Sequence, residues 1–191
     1  NLWVCQDYAD GITKIDAEGK IMYYKEEKGI LKDTRLKVVR QNPLDGAVYA
    51  AGVGNSYLYK YSRIADKFND ISLKLPFESK KEFIVEDFTI TKNNSLWLAT
   101  NVGLLRYDVQ EKTIEKIDLG KNYSDLGVRA INVDKNGNVW LANSNGLLEY
   151  DPKNGNVFLF DEKNGLLAKV FNYRCIHADE NGRIWGERQK D

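Results

Sequence analysis

Two stretches set oxygen-bearing side chains at alternating positions, Asp134-Lys135-Asn136-Gly137 and Asp179-Glu180-Asn181-Gly182. A calcium loop begins this way, but it needs further oxygen ligands at alternate positions and an acidic residue to close it. Trp140 and Trp185 arrive where those ligands would stand. The stretches therefore read as hairpin turns in which the Asp side chain bonds nearby backbone, and no metal is expected. Cys5 and Cys175 are too far apart in sequence for a metal motif, and two cysteines define no framework. They read as small buried thiols; a disulfide between them is the alternative, if the chain closes on itself. His177 is the sole histidine, and it lacks Asp, Ser or Cys neighbours at catalytic spacing. It reads as a satisfied polar residue on an inner strand. The carboxylates are scattered, so no glycosidase pair stands out. Gly52–Tyr57, "GVGNSY", joins two strands rather than a strand and a helix, so it cradles no phosphate. No catalytic residue and no cofactor are expected.

What repeats is the frame around these residues. Trp3, Tyr49, Trp97, Trp140 and Trp185 recur at separations of 43–48 residues, each in an apolar tetrad such as "LWLA" or "VWLA". That spacing lies at or just beyond the period of about 40–45 residues of a propeller blade. Within one unit, "VRAINVD", "NVWLAN", "LLEYD" and "NVFLFD" alternate apolar and polar side chains between Asn-Gly turns. Such runs are strands joined by tight hairpins, four to a unit. The prolines, Pro43, Pro76 and Pro152, fall in the expected turns and links.

A four-stranded sheet of this size cannot bury both faces alone, and radial stacking of similar sheets solves that. The expectation is an all-β fold, a β-propeller of four-stranded antiparallel blades. It consists of a partial blade at 1–27, blades at 36–75, 83–119 and 128–161, and a partial blade at 172–191. The tryptophan of each second strand becomes a wedge between blades. The residue two places on is small wherever a neighbour's bulk must fit: Cys5, Ala51, Ala99 and Ala142. The first unit lacks its first strand and the last supplies two, so an arc of a larger propeller is expected. Closure of Tyr173–Asp179 against Leu2–Gln6 into a four-bladed ring is the alternative.

Composition excludes some roles. Twenty-eight basic residues balance 28 acidic ones, whereas a protein that holds a phosphate backbone carries a basic excess. No nucleic-acid partner is expected. No apolar run approaches the roughly 20 residues that span a bilayer, and no signal peptide opens the chain.

The frame stands most fully as "INVDKNGNVWLANSNGLLEYD" (131–151) and "FTITKNNSLWLATNVGLLRYD" (88–108), and in a more divergent form as "VVRQNPLDGAVYAAGVGNSYLYKY" (38–61). It resembles the two-component regulator propeller repeat. In that family the repeats build the periplasmic sensor region of hybrid two-component systems, which commonly detect oligosaccharides. The resemblance implies a non-catalytic, periplasmic, ligand-sensing ectodomain. The closing "WGERQKD" departs from the frame, and no kinase core or membrane segment lies within these residues.

Alternating hairpins put the loops between second and third strands, together with the inter-blade links, at one end of the sheets. Variation between units concentrates there, as expected of a scaffold arranged for recognition. Tyr8, Asn55, Tyr57, Asn101 and Asn143 suit hydroxyl hydrogen bonding and stacking on a sugar face. Arg129 and Arg174 enter innermost strands at equivalent positions, where they could meet a uronate or sulfate or hold a neighbouring blade's carboxylate. The expected partner is an oligosaccharide or other small polar ligand, with self-association through exposed blade edges. A propeller-type lyase or glycan-active enzyme and a protein-docking scaffold are the other readings.

Overall fold

Short amphipathic strands punctuated by turn residues bury apolar surface only by stacking sheet on sheet, and the architecture follows from that. The structure, a computed structural model, describes residues 1–5, 11–25, 31–79, 81–91, 93–124, 126–167 and 170–188. The chain forms two compact units, Asn1–Lys74 with Ser79–Val85 and Leu75–Glu78 with Glu86–Asp191.

In the first unit, β1 (Leu2–Cys5), β2 (Ile12–Ile15) and β3 (Ile21–Tyr24) form one antiparallel sheet in chain order. A second follows with β4 (Leu36–Gln41), β5 (Val48–Gly52), β6 (Leu58–Ser62) and β7 (Lys67–Asp70). The second unit holds β8 (Val85–Ile90), β9 (Ser95–Thr100), β10 (Gly103–Asp108) and β11 (Thr113–Lys116) as a third sheet. A fourth comprises β12 (Ala130–Val133), β13 (Val139–Ala142), β14 (Leu147–Tyr150) and β15 (Val157–Phe160). Strands β16 (Phe171–Ala178) and β17 (Ile184–Arg188) form a two-stranded fifth. The four-stranded repeat, its missing first strand and its two-stranded end are thus as expected.

The tryptophans sit between sheets. Trp97 is 5% exposed and packs with Ala99, Leu104 and Ile117 of its own sheet against Val128, Ile131, Val139, Leu141 and Leu148 of the next. Trp140 is half-buried, stacked on Phe160 at 5.4 Å and set against Phe171, Ile176 and Ile184 of the fifth sheet. Trp3 meets Tyr61 at 4.8 Å and Phe68 at 5.7 Å. Ala51, Ala99 and Ala142 have no exposed surface, as the close approach of a neighbour requires. Cys5 and Cys175 are thiols, half-buried rather than buried, and burial pushes the Cys175 thiol up.

The turn chemistry explains why Asp and Trp travel together in the frame. Asp134 Oδ1 accepts from the backbone N–H of Asn136 (2.8 Å) and Asn138 (3.0 Å), while Oδ2 accepts from Trp140 Nε1 at 3.0 Å. Asp179 does the same with Asn181, Arg183 and Trp185 Nε1. One carboxylate closes the hairpin and anchors the indole. These oxygens serve the turn, which accounts for the motif without a cation.

A polar clamp joins the first two sheets. Asp66 Oδ1 accepts from Tyr61 Oη (2.5 Å) and Tyr24 Oη (2.7 Å), and Lys14 Nζ donates to Tyr61 Oη at 3.0 Å. Those two hydroxyls, with Lys14 behind them, hold the Asp66 carboxyl below its ordinary value. Because folding lowers this pKa, the contribution is fully present above the ordinary Asp range of about 4 and is lost as pH falls through the folded value. The Asp66→Asn variant is expected to flatten the acid limb of the stability–pH profile of the first unit. Urea melts from pH 6 to 3 check this; an unchanged slope would exclude the clamp as a source of acid sensitivity.

Candidate ligand-binding loops

The residues nominated from sequence separate into exposed, structural and undescribed. Asn55 is exposed at the tip of the β5–β6 loop. That loop is pinned by the Gly54 N–H donating to Phe83 O at 2.8 Å and by a bridge between Val53 and Ile84. Tyr57 is not available for stacking. It is 1% exposed, its ring lies edge-on to Phe83 at 4.9 Å, and its hydroxyl donates to Leu73 O (3.0 Å) and accepts from Leu73 N–H (3.2 Å). An aromatic at a loop mouth here holds the outgoing link instead of facing solvent. Tyr8 lies outside the described residues.

Beside Asn55 the first unit assembles a charged cluster that sequence reasoning missed. Arg35 pairs with Asp33 at 2.7 Å and with Glu82 at 2.8 Å, and Asp33 Oδ2 and the guanidinium border Gly54. The Asp33 bonds, then those to Glu82, hold the Arg35 guanidinium above its ordinary value. Burial alone would raise the Asp33 carboxyl, but hydrogen bonds from Arg35 outweigh it and the net shift is downward. Arg35 and Glu82 come from links 47 residues apart, so spacing carried no sign of them.

In the second unit Asn101, Arg129, Asn143 and Arg174 lie at the same end of their sheets. The backbone N–H of Val128 donates to Thr100 O and that of Arg129 to Ala142 O, both at 2.8 Å, so each incoming link is stitched beside a nominated asparagine. Asn101 is half-buried in its turn, whereas Asn143 has no exposed surface. Asn143 Oδ1 accepts from Asn145 N–H at 2.8 Å, the same turn-closing role that Thr100 Oγ1 plays for Val102 N–H. Its part is in the hairpin.

The arginines stitch inner strands. Arg129 Nη1 donates to Phe171 O and Arg174 Nη1 to Glu86 O, each at 3.2 Å, while Arg174 N–H donates to Arg129 O at 3.0 Å. Sequence reading offered neighbouring carboxylates or a ligand anion; these contacts are to carbonyls of neighbouring sheets. Arg174 sits at φ +57° beside an irregularity in β16, a left-handed conformation that L residues rarely adopt within a strand. A bulge of this kind re-aims a side chain. Tyr173, another residue not foreseen, is 50% exposed with the Arg129 guanidinium 5.3 Å from its ring centroid. The half-buried Arg129, Arg174 and exposed Tyr173 therefore offer cationic and aromatic surface together.

His177 is exposed, on β16 opposite Trp185, rather than a satisfied inner residue. At the other end of the fourth sheet, an open depression of about 430 Å³ is lined by Asn138, Glu149, Asp151, Asn156, Val157 and Phe158. Asn138 Nδ2 donates to Glu149 Oε1 there at 2.6 Å. Among the described residues no His, Cys, Asp and Glu group forms a metal cluster, and no helix is long and apolar enough to cross a membrane.

No protein-family model and no curated protein matches the chain. Solved structures do. The extracellular domain assigned to the one-component system BT4673 of B. thetaiotaomicron superposes with a TM-score of 0.76 at 20% identity, over 94% of this chain and 24% of that one. The extracellular domain assigned to the hybrid two-component system BT3049 of the same organism gives 0.72 at 20% identity, over 97% and 26%. Virginiamycin B lyase from Staphylococcus aureus gives 0.74 at 15% identity, over 97% and 59%. The chain spans about a quarter of the length of the two sensor domains. Five antiparallel sheets with these propeller-type neighbours make it a fragment of a β-propeller built of four-stranded blades.

Proposed function

We propose that the chain is part of an extracytoplasmic sensor propeller of the two-component regulator type, binding an oligosaccharide or another small polar ligand without turning it over. The observation that carries the reading is the arrangement of the loop end. A repeated, buried core supports loops that differ from blade to blade, and one of them brings Arg129, Arg174 and Tyr173 together. Fold similarity to two bacterial extracellular sensor domains supports the setting, periplasmic in a Gram-negative cell. Guanidinium and phenol groups together suit an acidic sugar, one through charge-assisted hydrogen bonds and the other through its ring face.

Calorimetry against a panel of neutral, uronic and sulfated oligosaccharides tests this. Saturable binding is expected, with the Arg129→Ala variant about tenfold or more weaker, as loss of one charged hydrogen bond implies. Phe158→Ala, at the other end of the sheets, is expected to leave affinity unchanged. The reverse pattern would move the site to the depression beside Glu149. A second reading has its own observation, the fold shared with virginiamycin B lyase together with an exposed His177. Product analysis after long incubation separates the two: an enzyme-dependent product abolished by His177→Ala would establish the lyase class.

A further inference from the structure

Each stacked pair of sheets meets with the same polarity. In the second unit, the third sheet presents Trp97 to a face of the fourth made of Val139, Leu141, Leu148, Tyr150, Val157 and Leu159. The fourth presents Trp140 to the fifth, and in the first unit the first sheet presents Trp3 to Val48, Ala50, Tyr59 and Phe68 of the second. A sheet thus has a giving face, centred on its tryptophan, and a receiving face made of residues that flank that tryptophan.

The pairing registers carry the receiving face onto the first sheet. Strand β1 matches β13, β2 matches β14 after its glycine, and β3 matches β15, since Ile12 opposes Tyr24 as Leu147 opposes Phe160. The six receiving positions become Leu2, Val4, Thr13, Ile15, Ile21 and Tyr23. Five of the six are apolar, yet Leu2 is 60%, Ile21 51% and Tyr23 59% exposed. The fifth sheet shows the complement: Trp185, matching Trp3, Trp97 and Trp140, is 55% exposed, whereas Trp97 is 5% exposed. Apolar side chains clustered on one face and open to water mark an interaction surface.

We propose that the first sheet's outward face docks the Trp185 face of a second copy of this chain, reproducing between molecules the contact made by Trp97 and Trp140 within one. The occupant follows from the interface already present: the receiving positions are those that accept a blade's tryptophan, and every copy displays such a tryptophan uncovered. Because the two faces differ, the contact is heterologous and propagates from copy to copy instead of closing as a two-fold dimer.

Sedimentation velocity over a concentration series, using the full 191-residue chain, is the test. The average mass is expected to rise beyond that of a dimer. Tyr23→Lys removes the receiving face and Trp185→Glu the giving face, so each variant alone is expected to remain monomeric. Both residues are exposed, and circular dichroism confirms that each variant folds. An equimolar mixture retains one intact face of each kind and is expected to form a one-to-one dimer and nothing larger. A wild-type chain that stays monomeric at the highest concentration would overturn the proposal. So would assembly that survives either variant, or a mixture that fails to dimerise. Failure here would leave the ligand-binding reading untouched, because no loop residue enters this contact.

Discussion

Trp97→Ala is expected to destabilise the second unit by about 3–5 kcal/mol, the range for deleting a large aromatic from a packed core. The indole is 5% exposed and lies edge-on to Tyr150 at 5.9 Å. Ala99 and Leu104 pack on its own side, and Val128, Ile131, Val139 and Leu141 opposite. Both sheets close around it, so removal leaves a cavity that neither can fill without shifting strands. The other tryptophans grade the effect. Trp140 is half-buried and its indole is held by Asp134, so Trp140→Ala should cost less. Trp185 is exposed, and Trp185→Ala should barely change the stability of the isolated chain. Urea melts followed by far-UV circular dichroism check the order. A Trp97→Ala change below about 1 kcal/mol would mean that the residue is no wedge.

The features legible in the sequence are those with a short physical range. A hairpin declares itself through its turn residues, and the Asp134–Trp140 bond spans six positions, so the frame records it directly. Sheet stacking was legible because one repeat cannot bury its own apolar faces. The candidate site was harder to read. Whether Tyr57 faces a ligand or the core depends on where Leu73 and Phe83 arrive, and no local pattern encodes that. Asn143 looks like a recognition residue by type, yet it occupies a slot where Thr100 also closes a turn, and an alignment of the units could have exposed that role. Arg174 at positive φ carried no sequence signal at all, since Arg129 stands in the matching slot without it.

The glycine that opens each third strand supplies a second large effect. Gly146 sits at φ +141°, outside the left-handed basin that Asn or Asp tolerates, and an added Cβ would press into the carbonyl oxygen of Phe160. Gly11 against Tyr24 O and Gly103 against Ser124 O repeat the arrangement, which is why the frame carries glycine there. Backbone of the outer strand or the following link approaches so closely that no side chain fits. Gly146→Ala therefore combines backbone strain of about 1–3 kcal/mol with overpacking of about 1–3 kcal/mol. Gly137 provides the contrast: at φ +90° it also has positive φ, but nothing lies within 4 Å of an added Cβ. Gly137→Ala is expected to show strain without overpacking, and so the smaller loss. Parallel urea melts of the two variants decide the matter. Equal losses would show that conformation alone fixes the glycine, whereas a markedly larger loss at Gly146 shows that close approach of the outer strand fixes it.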